Sequence, residues 1–177
     1  MKYEQEKSLT FEQYLSLLKR RLECYFTLTE GSEYRGIKFD LAAEFKSREN
    51  ETLFTKNQVM DFLDTKQLCL VKRVSSVDEV NEILAEISNI AIEYTGEVSR
   101  HHKSTTVTVA FVEEAGCSED EVKAVKHFHF HKSHKLGFCG FTDGFSLLVD
   151  LETSKIYGGG GESSTKKIFI PVEKKRA

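Results

Sequence analysis

The apolar positions change period twice within the first third of the chain. Phe11, Tyr14, Leu15, Leu18, Leu22 and Tyr25 recur at intervals of three and four, with Lys19, Arg20 and Glu23 mostly opposite, the spacing of a helix with one buried face. Thr10 and Gln13 stand as in a capping box, and Leu9 can pack on Tyr14, so a helix is expected over about 11–24. From Tyr25 the period drops to two. Phe26 and Leu28 alternate with threonines, Glu30-Gly31-Ser32 turns, and Ile37, Phe39, Leu41, Ala43 and Phe45 put one apolar face on a longer strand. Ser47 to Asn50 reads as a turn and Glu51 to Phe54 as a strand pairing back. Thr55 and Gln58 repeat the capping spacing before Val59, Met60, Phe62 and Leu63, which predicts a short helix over about 56–64. Leu68 to Val74 reads as a strand buried on both faces.

A second main helix is predicted over 77–95. Ser76 and Glu79 cap it, Val77, Val80, Leu84, Ile87, Ala91 and Tyr94 form its stripe, Ile83 and Ile90 widen it, and Gly96 ends it. The stripe is too wide and too short for a coiled coil and suits packing on a sheet. Val107, Val109 and Phe111 then mark a strand. After the acidic stretch Glu113 to Glu121, Ser118 and Glu121 fit the cap of a helical turn, although Val122 to Phe130 also tolerates strand spacing. His127, His129 and His131 alternate with Phe128 and Phe130. Asp143-Gly144 is the preferred pair of a two-residue hairpin and would set Thr142 opposite Phe145. A four-residue turn follows Leu151, and Lys167 to Val172 is expected as a last strand beyond the Gly158 to Gly161 loop.

Together these elements predict one α+β domain over 9–172. Its sheet is expected to be antiparallel and meander-rich, with about seven to nine strands, packed by the two main helices and the short one. A disordered polar segment, 1–8, would precede it and a mobile basic tail, 173–177, would follow.

Composition adds limits. A chain of 177 residues with 40% hydrophobic residues and a single Pro is an ordered domain able to bury a real core. The formal charge of −3 supplies no global field for nucleic acid or an anionic bilayer, so any such contact must be local. No apolar run approaches a membrane span, and a cytoplasmic protein without membrane contact is expected. Cys24, Cys69, Cys117 and Cys139 are too scattered for a disulfide framework or a zinc knuckle and read as reduced thiols.

Candidate chemistry concentrates between Lys123 and Tyr157. On a strand, histidines two apart sit about 6.6 Å from each other, close enough for two imidazoles to share an ion. His127, His129, His131 and His134 are therefore candidate ligands for a divalent transition metal such as zinc, with His101, His102 or Cys139 as helpers. Four lysines at Lys123, Lys126, Lys132 and Lys135 oppose that reading. Lys126, His127, His129, Lys132 and Lys135 beside Phe138 could instead hold phosphates and stack bases, although nucleic acid is disfavoured by the acidic balance. Cys139, placed mid-strand, reads as a packed thiol rather than a nucleophile. No nucleophile elbow, phosphate loop or acid/base pair is apparent.

The leading expectation is a non-enzymatic binding domain without a cofactor. Its contact surface would be the 123–157 sheet face with Lys126, His127, His129, His131, Lys132, His134 and Phe138. The partner would be a protein or a small molecule, and an unprotected sheet edge is compatible with a homo-oligomer. A metal-binding protein or metal-dependent enzyme is the alternative, and a weak nucleic-acid binder the second.

Overall fold

The computed structural model describes residues 8–52, 59–159 and 163–172. The segment 1–7, the tail 173–177 and the Thr55/Gln58 signal lie outside the described residues. The elements run α1 (Phe11–Leu22), β1 (Thr27–Glu30), β2 (Glu33–Tyr34), β3 (Ile37–Lys38), β4 (Leu41–Thr52), β5 (Val59–Arg73) and α2 (Val77–Thr95). They continue as β6 (His102–Glu113), α3 (Glu119–His127), β7 (His129–Ser133), β8 (Phe141–Asp150), β9 (Lys155–Gly159) and α4 (Ser163–Ile168).

The helix starts follow from their caps. At α1, Thr10 Oγ1 accepts from Gln13 N while Thr10 N donates to Gln13 Oε1. At α2, Ser76 Oγ accepts from Glu79 N, but the Glu79 carboxylate turns back to Ser75 N instead of Ser76 N. Gly96 closes α2 with φ of 68°, a conformation that only glycine adopts freely.

One seven-stranded sheet forms the middle layer in the order β1-β4-β5-β6-β8-β7. β9 also pairs with β8, and β2 and β3 form a separate two-stranded hairpin. β7 and β9 share the outer edge of β8, with β7 opposite Phe141 to Phe145 and β9 opposite Ser146 to Asp150. The sheet is mixed, which corrects the antiparallel expectation: β5 and β8 both run parallel to β6. Parallel neighbours require a long crossover. α2 supplies it between β5 and β6, and α3 with β7 supplies it between β6 and β8.

Helices cover both faces. α2 and α3 pack on one through Val80, Ile83, Ile87, Ile90 and Val125 against Leu68, Leu70, Val107, Val109, Phe111 and Leu148. On the other, Phe11, Tyr14, Leu18 and Leu22 of α1 and Phe169 beyond α4 pack against Leu41, Ala43, Val71, Ala110, Val112 and Val149. α4 is tied to α1: Tyr14 Oη donates to Phe169 O at 2.7 Å. Arg21 reaches the carbonyls of Ile168, Ile170 and Val172 at 2.6–2.7 Å, which satisfies main-chain acceptors at the end of a short helix.

Several local expectations are overturned by tertiary pairing. Ser47 to Asn50 is not a turn but part of β4, which pairs with β5 through its whole length. Residues 59–64 of the expected short helix are strand for the same reason. Among the described residues four α-helices are present instead of three, because Ser118 and Glu121 form a full capping box for α3, and Ser163–Ile168 is helical where a strand was expected to begin. Asp143 and Gly144 lie inside β8. A Cβ on Gly144 would sit 3.2 Å from both Ile87 Cγ2 and Phe130 Cβ, so this glycine gives room to Ile87 of α2 and to its cross-strand partner Phe130 rather than turning the chain. The four-residue turn at 151–154, with Asp150 opposite Lys155, is as expected.

Candidate functional site

On the α1 side of the sheet, three neighbouring strands change character half-way along. β6 presents Ser104, Thr106 and Thr108 and then Ala110 and Val112; β5 presents Thr65, Gln67 and Cys69 and then Val71; β8 presents Phe141, Asp143, Phe145 and Leu147 and then Val149. The register Thr65↔Ser104↔Phe141 and Gln67↔Thr106↔Asp143 aligns these changes across the sheet. The hydrocarbon half is buried beneath α1. The other half forms the floor of a cleft of about 690 Å³, with Lys103 at one end and Thr165 and Lys166 of α4 as a wall. Lys166 Nζ donates to Gly158 O, which holds that wall to β9. A volume of this order suits a small organic ligand.

β7 forms the rim of the cleft. His131 lies opposite Asp143 and His129 opposite Phe145, and directly opposed residues share a face of the sheet. His131 Nδ1 donates to Asp143 Oδ1 at 2.6 Å, a bond that selects the tautomer and leaves Nε2 for another partner. The His129 ring stacks on Phe145, centroids 5.3 Å apart and planes 14° from parallel. His131 lies 5.9 Å from the Phe141 ring. The site therefore combines aromatic rings, a bonded His/Asp pair, a hydroxyl and amide floor and two ammonium groups.

The other expected site residues are dispersed. His127 ends α3, where its Nδ1 donates to Lys123 O at 2.7 Å, so it does not share a strand face with His129 and His131. Lys126 lies on α3 with its ammonium 5.5 Å from the Tyr157 ring centre. Lys132 is exposed, on the opposite side of β7 from the two histidines. Phe138 stands almost fully in solvent. Among the described residues, no three His, Cys, Asp or Glu side chains group as a metal site.

His134 belongs to a closed hydrogen-bond chain. Thr95 Oγ1 donates to Ala91 O and so accepts from Thr142 Oγ1, which in turn accepts from His134 Nε2. Beside it, His102 Nδ1 donates to Cys139 O and its Nε2 accepts from Thr105 Oγ1. Burial, followed by the neighbouring His102 and Lys132, holds the His134 pKa below the usual histidine value. Cys139 is buried, as a packed thiol should be. These polar groups satisfy one another, as buried ones must, and tie the β7–β8 loop to the end of α2.

At the far end of the α2/α3 face, Glu113, Glu121 and Asp150 are all buried. Burial, together with Glu121, Glu79 and Asp150, pushes the Glu113 carboxyl up to about 7. Ser118 N and Oγ donate to Glu121, and Thr153 N donates to Asp150, so Glu121 and Asp150 brace loops.

The trough residues Thr65, Gln67, Ser104, Thr106, Thr108, Phe141 and Phe145 escaped the sequence reading. Their signal was the alternate-position change from hydroxyls to Ala110 and Val112 on β6. It becomes informative only when β5 and β8 are known to flank β6 in parallel.

Fold and site together define an α+β domain with a mixed sheet between two helical layers, one of which stops short and leaves an open trough. The chain belongs to the family described as Domain of unknown function (DUF8052), whose model matches residues 10–171. No curated protein and no solved structure matches it. Among the described residues, no helix is long and apolar enough to cross a membrane.

Proposed function

We propose that this is a binding domain whose ligand is a small organic molecule with a planar apolar part and an anionic group, seated in the trough over β5, β6 and β8. The observation that carries this reading is the aligned change from hydroxyl and amide to hydrocarbon side chains where α1 begins to cover the sheet. A solvent-facing sheet needs only polarity. Here Phe141, Phe145 and Leu147 are mixed with the hydroxyls inside a concave site, the combination that supplies both apolar burial and orientation. Lys103 at one end and Lys166 in the wall favour an anionic group, and the His131/Asp143 pair offers a fixed hydrogen-bonding group at the rim. The role assigned to the pair is orientation of the ligand, not chemistry upon it.

The test is a titration of the isotopically labelled full chain with benzoate, followed by amide NMR, in the wild type and in Thr106→Trp, which fills the floor. Saturable shifts are expected at 104–108 and 141–147 in the wild type and not in the variant. Absence of saturable shifts, or shifts elsewhere that survive in Thr106→Trp, would overturn the proposal.

A further inference from the structure

The β7–β8 loop holds two large apolar side chains in water by design of its backbone. Leu136 is 95% exposed and Phe138 85%. Lys135, Leu136 and Gly137 all have positive φ, at 47°, 57° and 93°, and a left-handed leucine is a strained choice that persists only when its surroundings impose it. The surroundings do so. His134 O accepts from both Gly137 N and Cys139 N, His134 N donates to Gly140 O, and Cys139 is buried with its carbonyl on His102. A Cβ on Gly140 would lie 2.1 Å from Lys103 O, so the base of the loop is seated against the start of β6.

The sequence that flanks this loop is one-sided in charge. Between Glu121 and Asp143 the sequence has four lysines and no carboxylate, and between Glu97 and Glu113 it has Arg100 and Lys103 and none. Of the carboxylates next to these stretches, Asp143 is bonded to His131 and Asp64 to Arg48. Lys123 and Lys126 lie away from the loop on α3, beside Asp120 and Tyr157, so the charge at the apolar tip is that of Lys132 and Lys135, with Lys103 at the base of the loop.

We infer that the Leu136/Phe138 tip docks on an anionic lipid bilayer, with Lys132 and Lys135 against the headgroups. The shape favours a bilayer over a protein. The apolar groups stand on a projection rather than in a groove, and two side chains are far short of the roughly 1,600 Å² that a specific protein interface buries. A bilayer needs no complementary surface, since side chains enter its interfacial region while lysines gain from anionic headgroups. Phe141, at the base of the loop, also lines the trough, but the docking inference does not depend on the trough being a ligand site.

The experiment is co-sedimentation of the full chain with vesicles of phosphatidylcholine alone and of phosphatidylcholine with phosphatidylserine, at low and high salt. Binding is expected only to the anionic vesicles. It should fall about ten-fold in Leu136→Ser/Phe138→Ser and by a similar factor in Lys132→Glu/Lys135→Glu or at high salt. Because these side chains are exposed, the variants should melt with the wild type. A wild type that stays in the supernatant would overturn the inference, as would serine variants that bind undiminished. So would a failure to bind vesicles combined with a concentration-dependent dimer that the serine variants abolish, which would make the tip a self-association surface.

Discussion

The two halves of the α1 face share strands, register and backbone but not chemistry. Under α1, Ala43, Val71, Ala110, Val112 and Val149 meet Tyr14, Leu18 and Leu22 in a dry core. Beyond α1, the same strands present Gln67, Ser104, Thr106 and Asp143 around an open cleft. Pleat and pairing alone therefore do not decide what a sheet position is for. The layer above decides it, because a hydroxyl is inexpensive beside water and expensive beneath a helix unless it is bonded.

Three substitutions probe that contrast. The largest effect is expected in the covered half, where Leu18 is fully buried. Leu18→Ala should lose about 2–5 kcal/mol, read as a drop in melting temperature of about 10 °C. A loss below about 1 kcal/mol would mean that α1 is not the tight cover described.

The next tests a polar group enclosed by helices on the opposite face. With its folded pKa raised to about 7 by burial, Glu113 keeps its proton in the native state up to about that pH, while in the unfolded chain it ionises near pH ~4.3. Its favourable contribution is complete below the unfolded value and is lost as pH rises through about 7. Glu113→Gln keeps a donor for Glu121 without a charge. It should be more stable than wild type by about 1–3 kcal/mol at pH 8 and nearly equal to it at pH 4. Denaturant melts across that range check both sign and window, and equal curves at pH 8 would remove the burial penalty.

The smallest stability effect belongs to the open half. Thr106→Val should change stability by no more than about 0.5 kcal/mol, because its hydroxyl faces the cleft. The same variant should weaken benzoate-induced NMR shifts if that floor holds a ligand. A large destabilisation would show that Thr106 is structural, and the difference between the halves would then be one of packing alone.

Local order was readable wherever the chain's own neighbours enforce it. α1 and α2 follow from three-four spacing and from Thr10, Gln13, Ser76 and Gly96, because capping and amphipathicity act within a few residues. The turn at 151–154 was legible in the same way, whereas of the 127–134 histidines only His129 and His131 share a strand face. Strand partners were not legible. Asp143-Gly144 has the composition of a hairpin, yet Gly144 lies inside β8, where Ile87 of α2 and Phe130 of β7 approach it closely, contacts that its sequence neighbours do not supply.

The sequence by itself determined the α+β character, both main helices, most of their buried faces and a basic stretch without carboxylates from Val122 to Thr142. These depend on period, caps and composition, which are local. In α1 the expected stripe overreached at Tyr25, which lies past the helix end and is exposed, and missed the buried Leu17. The tertiary structure alone decided that β6 lies parallel between β5 and β8, that His127 leaves the histidine strand for α3, and that Thr65, Thr106 and Asp143 share one floor. The physical reason is that side-chain alternation specifies only that a strand has two faces. Which face meets a helix, and where that helix stops, is set by crossovers and packing between segments distant in sequence.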